Sequence, residues 1–275
     1  MKFSELTVEI VKKQSFLCIG LDSDINKIPE FLMKFDDPVF EFNKQIIDAT
    51  HDLAIAYKPN IAFYESRGAA GWKSLEATVS YLNKNYPDIL LIADAKRGDI
   101  GNTSKEYAKA FFSQMDFDAI TVAPYMGRDS VEPFLEFKDR WVIVLGLTSN
   151  AGASDFQFNW ISENSAYLYE KVIAETAKWG NRENTMFVVG ATKAEHLKRV
   201  RKLVPDYFLL VPGVGAQGGS LDEVVENGMN KNCGLIVNSS RGIIFASNGQ
   251  DFAEKAREKA LELQQQMSGL LKKYL

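Results

Sequence analysis

The sequence predicts an α/β protein folded as a single-domain (β/α)8 barrel, the TIM-barrel architecture, over residues 1–275. Three observations predict it. Short apolar, β-favouring runs alternate along the chain with longer amphipathic segments, the pattern of parallel strands joined by helices. Eight such runs are present, the number a closed barrel of this length requires. No Pro/Ser-rich linker and no shift of composition divides the chain into separate bodies.

In order, the strand-forming runs are 16–21, 54–58, 89–93, 119–122, 141–147, 186–190, 207–211 and 235–238. Every gap has room for a helix, with helical patterning over 41–49, 75–83, 104–114, 165–179 and 221–227. The last amphipathic segment, 251–271, carries Phe252, Ala256, Ala260 and Leu263 and should turn them toward the barrel. An open doubly wound sheet would suit the same alternation. It calls for a glycine-rich turn after the first strand, whereas the chain there reads Gly20-Leu21-Asp22-Ser23-Asp24. The stretch 149–160 has no strong pattern and is expected to be a functional loop after the fifth strand.

Composition narrows the function. At 46% hydrophobic and 25% charged, with a net charge of -4, the chain lacks the basic excess of a general nucleic-acid or membrane-surface binder. Its first ten residues include Glu5 and Glu9 and lack the apolar core of a signal peptide, so a cytoplasmic protein is expected. Cys18 and Cys233 fall in or beside strands without metal-ligand spacing and read as buried, reduced thiols. His51 and His196 lie in polar helical segments without a second ligand nearby and read as solvated helix residues, so no metal site is expected.

Charge at the strand ends points to chemistry. Strand alternation puts Leu90, Ile92, Asp94 and Lys96 on one face of the third strand, with the two charged residues at its tip. Lys58 closes the second strand and Asp22 the first. Four ionisable groups from three adjacent strands would converge where barrel enzymes place their active sites. Burying such groups costs several kcal/mol unless they are paired or used, on the order of what a fold would avoid without need. Two further stretches suit an anion. Pro212-Gly213-Val214-Gly215-Ala216-Gln217-Gly218-Gly219 follows the seventh strand, and Asn238-Ser239-Ser240-Arg241-Gly242 follows the eighth. The loops after these two strands are the usual phosphate site of such barrels, and Arg241 adds a fixed cation.

Asp94-x-Lys96-x-x-Asp99, followed by Ile100, Asn102 and Thr103, resembles the orotidine 5'-phosphate decarboxylase family in its longer bacterial form. Lys58, the glycine-rich run and Arg241 support the resemblance, which extends from the first strand to the eighth. It implies removal of CO2 from C6 of orotidine 5'-monophosphate to give uridine 5'-monophosphate, with neither metal nor organic cofactor. Lys58, Asp94, Lys96 and Asp99 would form an alternating chain of charge around C6. In it Lys96 donates the proton, Asp94 lies against the substrate carboxylate, and Lys58 holds Asp94 and contacts the ribose. Asp99 and Thr103 would reach into a neighbouring subunit's site, implying a homodimer with shared active sites. Asp22 would hold the ribose hydroxyls, Ser149 the pyrimidine edge, and Gln217 and Arg241 the phosphate, with backbone donors near Ser240. The loop 148–152 has Ala151 where many members carry Pro.

Two other functions compete. Magnesium-dependent keto-sugar-phosphate decarboxylases and hexulose-phosphate aldol enzymes share Asp-x-Lys-x-x-Asp but place an acidic residue where Lys58 stands, and a lysine there repels the metal. A non-catalytic nucleotide-binding barrel would be expected to break the charge chain, which is complete here.

Overall fold

The computed structural model describes residues 1–191, 194–214 and 219–275. Eight parallel strands close into a barrel: β1 (Leu17–Leu21), β2 (Ala56–Pro59), β3 (Leu90–Arg97), β4 (Ala119–Val122), β5 (Trp141–Leu147), β6 (Thr185–Val189), β7 (Phe208–Pro212) and β8 (Leu235–Ser239). Each pairs with its neighbour in sequence, and β1 pairs with β8 to shut the ring, with Ile19 opposite Ser239. Nearly every strand residue is buried, as expected of strands covered on one side by helices and filled on the other by side chains. The eight expected runs coincide with these strands within two residues at their starts. β3 alone runs well past its expected end, from Ala93 to Arg97.

A helix ahead of the barrel, Phe3–Lys13, buries Phe3, Leu6 and Ile10. Phe3 packs against Trp141 and Phe208, at ring separations of 6.4 and 5.2 Å. Those two rings begin β5 and β7, so this helix covers the end of the barrel opposite the strand tips. The last helix, Phe252–Tyr274, buries Phe252, Ala256 and Ala260 as its pattern indicated. Phe252 stacks on Phe42 at 5.2 Å, and Arg257 grips both carboxylate oxygens of Asp52 at 2.6 and 2.7 Å. No described helix is long and apolar enough to cross a membrane.

Beyond the longer β3, the sequence pattern and the structure part in three places. The helix expected over 165–179 is confined to Leu168–Thr176, because residues before it form a small hairpin, Trp160–Ile161 against Ala166–Tyr167. The helix expected over 104–114 starts at Gly101 and ends in one wider turn, Ala110–Gln114. The histidines are not solvated helix residues. His51 stacks on Tyr86 at 4.4 Å, and His196 sits half-buried among Phe158, Tyr167 and Tyr169, where aromatic packing outweighs exposure of the imidazole.

Candidate active site

Parallel register brings the strand tips level. Gly20 of β1 pairs with Lys58 of β2, and Asn60, just past β2, bridges to Asp94 of β3. Lys58 Nζ donates to Asp94 Oδ2 at 2.8 Å, and Lys96 Nζ donates to Asp94 Oδ1 at 2.7 Å. The side chains of Lys58 and Asp94 are only 6% and 11% exposed, whereas that of Lys96 is 52% exposed. One carboxylate is thus clamped between a buried ammonium and one that can meet a ligand.

The protonation states follow. Burial pushes the Asp94 carboxyl up, but the two ammonium groups more than reverse this and hold it at about 2. Burial likewise favours losing the Lys58 proton, and Asp94 with Asp22 overrides it, raising Lys58 above its ordinary value. Both are charged at neutral pH. Beneath them lies Cys18, whose thiol burial pushes up to about 12; it donates to Asn238 Oδ1 at 3.5 Å and is inert as a nucleophile. Both cysteines are buried and free, as their positions indicated.

A cleft of ≈ 260 Å³ opens from Lys58, Asp94 and Lys96 toward Thr148, Ser149 and Asn150, with Leu145, Val188 and Leu210 on its apolar wall. A second compartment of ≈ 170 Å³ shares Lys58 and Asp94 and extends to Asp22, Asn60, Gly213, Ser240 and Arg241. A slot with an apolar wall joins a polar chamber ending in an arginine. Together they suit a ligand with a flat, partly apolar head and an anionic tail.

The expected site residues Lys58, Asp94, Lys96, Asp22, Ser149, Ser240 and Arg241 therefore meet around one cavity. Asp22 Oδ1 is buried there without a hydrogen-bond partner among the described residues. Its loop is held from behind by Tyr64, whose hydroxyl donates to Leu21 O at 3.2 Å. Gly20 is required at the tip of β1, since a Cβ there would fall 1.8 Å from Ser240 Oγ. Gln217 lies outside the described residues.

Asp99 and Thr103 are not drawn into this cavity. The Asp99 carboxylate accepts from Ile100 N at 2.7 Å and takes no part in the Lys58–Asp94–Lys96 chain. Thr103 stands exposed on the first turn of the helix Gly101–Lys109.

Two residues that the sequence reading passed over also touch the site. Thr121 is 1% exposed; its hydroxyl donates to Asp94 Oδ1 at 3.1 Å and accepts from Lys96 N at 2.9 Å. Gln157 reaches back to the tip of β5, accepting from Thr148 N and donating to Thr148 Oγ1, both at 2.8 Å, and so fixes the residue preceding Ser149. Thr121 was detectable as the one polar residue of the run Ala119–Val122. Nothing local marks Gln157.

Comparison with known proteins agrees with this arrangement. A sequence profile of the orotidine 5'-phosphate decarboxylase / HUMPS family matches residues 15–256. The chain is 59% identical over 271 residues to the orotidine 5'-phosphate decarboxylase of Flavobacterium johnsoniae, covering 98% of each. It is 61% identical over 273 residues to that of Christiangramia forsetii, covering 99% of this chain and all of the relative. Among solved structures, the OMP decarboxylase of Leishmania donovani superposes with a TM-score of 0.80 at 36% identity, over 96% of this chain and 99% of that one. The orotidine 5'-monophosphate decarboxylase of Plasmodium berghei does so with a TM-score of 0.83 at 27% identity, over 98% of each chain. With the family profile spanning all eight barrel strands and the relatives matching nearly end to end, this chain belongs to the orotidine 5'-phosphate decarboxylase / HUMPS family.

Proposed function

We propose that this protein decarboxylates orotidine 5'-monophosphate to uridine 5'-monophosphate, the last step of de novo pyrimidine nucleotide synthesis, without metal or organic cofactor. The observation that carries this reading is the Lys58–Asp94–Lys96 chain set between an apolar-walled slot and an arginine-bearing chamber.

The pyrimidine lies in the slot with its edge on Ser149, and the phosphate lies by Arg241 and Ser240, with Gln217 assisting. Asp22 Oδ1, buried without a partner among the described residues, accepts from a ribose hydroxyl. The C6 carboxylate then faces Asp94, which remains ionised because its two lysines keep it so. Like charges at close range favour loss of CO2. The C6–carboxylate bond breaks, its electron pair stays on C6, and the Lys96 ammonium stabilises that carbanion and gives it a proton. Solvent then reprotonates the Lys96 amine. Binding the distant phosphate supplies energy to assemble this arrangement. A divalent cation would meet the Lys58 ammonium at the cavity floor, which disfavours the magnesium-dependent chemistries of the same family.

The protein works in the cytoplasm as a homodimer in which Asp99 and Thr103 complete the partner's site. Their position outside the chain's own cavity supports this, as does the exposed apolar surface of Ile100, Tyr125 and Met126 on neighbouring loops. Purified protein treated with EDTA should deplete the absorbance of orotidine 5'-monophosphate. A metal requirement, or no turnover by well-folded protein, overturns the reading.

A further inference from the structure

We propose that Thr121 is a positioning residue for the decarboxylation, setting Asp94 and Lys96 relative to one another through a single hydroxyl; the inference rests on the function proposed above. Its basis is an irregularity in the sheet. β3 and β4 run in register at Ile92 opposite Ala119 and Ala93 opposite Ile120, then resume with Arg97 opposite Val122. Asp94, Ala95 and Lys96 therefore face Thr121 alone. Surplus residues must bulge, and the strain collects at Lys96, whose φ of +47° lies in the left-handed region that non-glycine residues rarely occupy.

A bulge takes backbone groups away from their ladder partners, and a buried N–H left unpaired is costly. Thr121 Oγ1 takes up that role, accepting from Lys96 N at 2.9 Å. The direction of its other bond follows from donor and acceptor chemistry. An amide N–H can only donate, so the single hydroxyl hydrogen is left for the Asp94 carboxylate, 3.1 Å away. Asp94 Oδ1 thus receives two donors, Thr121 Oγ1 and Lys96 Nζ, while Lys58 holds Oδ2. One side chain ties the strained backbone of the proton donor to the carboxylate that confronts the substrate.

The outer side of the bulge is pinned separately. Arg97 ion-pairs with Glu65, donates to Ala95 O at 3.0 Å and lies over the rings of Tyr107 and Phe111. With that side fixed, loss of the Thr121 hydroxyl acts on Asp94 and Lys96 rather than on the strand as a whole.

Thr121→Val keeps the shape and removes both hydrogen bonds, whereas Thr121→Ser keeps the hydroxyl. For Thr121→Val, kcat should fall about 10- to 100-fold, the scale of misplacement by a fraction of an ångström to an ångström. KM and uridine monophosphate affinity should stay within about threefold, because the change acts on groups used at the transition state. Thr121→Ser should stay within about threefold of the unsubstituted protein on the same scale. A merely structural role would lower the melting temperature without this split between kcat and KM. Folded Thr121→Val with kcat within about twofold of the unsubstituted protein, or with a loss confined to KM, overturns the inference. If Thr121→Val fails to melt cooperatively, Thr121→Ala is judged by the same thresholds. The unsubstituted protein assayed alongside separates the two levels of argument: inactivity there refutes the function, and activity there with an unaffected variant refutes only Thr121.

Discussion

Asp94→Asn tests the electrostatics of the site with almost no change of volume. In the folded chain the Asp94 carboxyl is held at about 2, against 3.8 for an ordinary aspartate. Burial works against ionisation there, and Lys58 and Lys96 override it. The drop corresponds to about 2 kcal/mol of stability supplied by the ionised carboxylate. Because the folded value lies below the unfolded one, that stability is complete above about pH 4 and is lost as the pH falls toward about 2. Lys58 is raised instead, so its contribution persists across this acid window and fades only at alkaline pH, as the pH climbs through its folded value. Urea unfolding measured from about pH 5 down to about pH 2 should show the unsubstituted protein losing about 2 kcal/mol more than Asp94→Asn, which has nothing to titrate there. A constant offset from giving Lys58 a weaker partner leaves that difference in slope untouched. Parallel stability curves for the two proteins would refute the claim that the lysines depress Asp94.

Lys96→Ala should lose about 10²- to 10⁴-fold in kcat, the range for a general acid, while retaining product binding, and Arg241→Ala should chiefly raise KM, by about 10- to 100-fold. Steady-state kinetics with product titration separates the two, and equal, mild effects would contradict the assigned roles. Mixing Lys96→Ala with Asp99→Ala protein should restore activity through hybrid dimers holding one intact site each. With free exchange of equal amounts the recovery approaches about a quarter of the normal site number, and no recovery despite proven exchange contradicts a shared site.

The strands were legible because nearly all are short buried runs ended by a charged, polar or turn-forming residue, and the barrel then followed from their number and from the missing glycine-rich turn after the first. Lys58, Asp94 and Asp22 were legible for the opposite reason, since charge at the tip of an apolar strand has no structural use. What escaped depends on pairing between distant segments. Thr121 stands out locally as the polar residue of its run, but its role comes from a slip in register that no local pattern encodes, and the same slip carries β3 beyond the apolar run that marked it. Gln157 acts on Thr148 across a loop whose path has no periodicity. His196 was misjudged because its helix is polar, whereas its neighbours Phe158, Tyr167 and Tyr169 come from the preceding loop and helix.

The seam between β1 and β8, where Gly20 makes room for Ser240, has a consequence for biosynthesis. Asp22 and Arg241 line the same chamber yet stand at opposite ends of the barrel's sequence. The Lys58–Asp94–Lys96 contacts need only β2 and β3, whereas the chamber proposed to take the phosphate is not complete until the final strand has emerged and docked on the first. Capture of the nucleotide is therefore a reporter of ring closure, and truncation just before β8 should abolish it altogether.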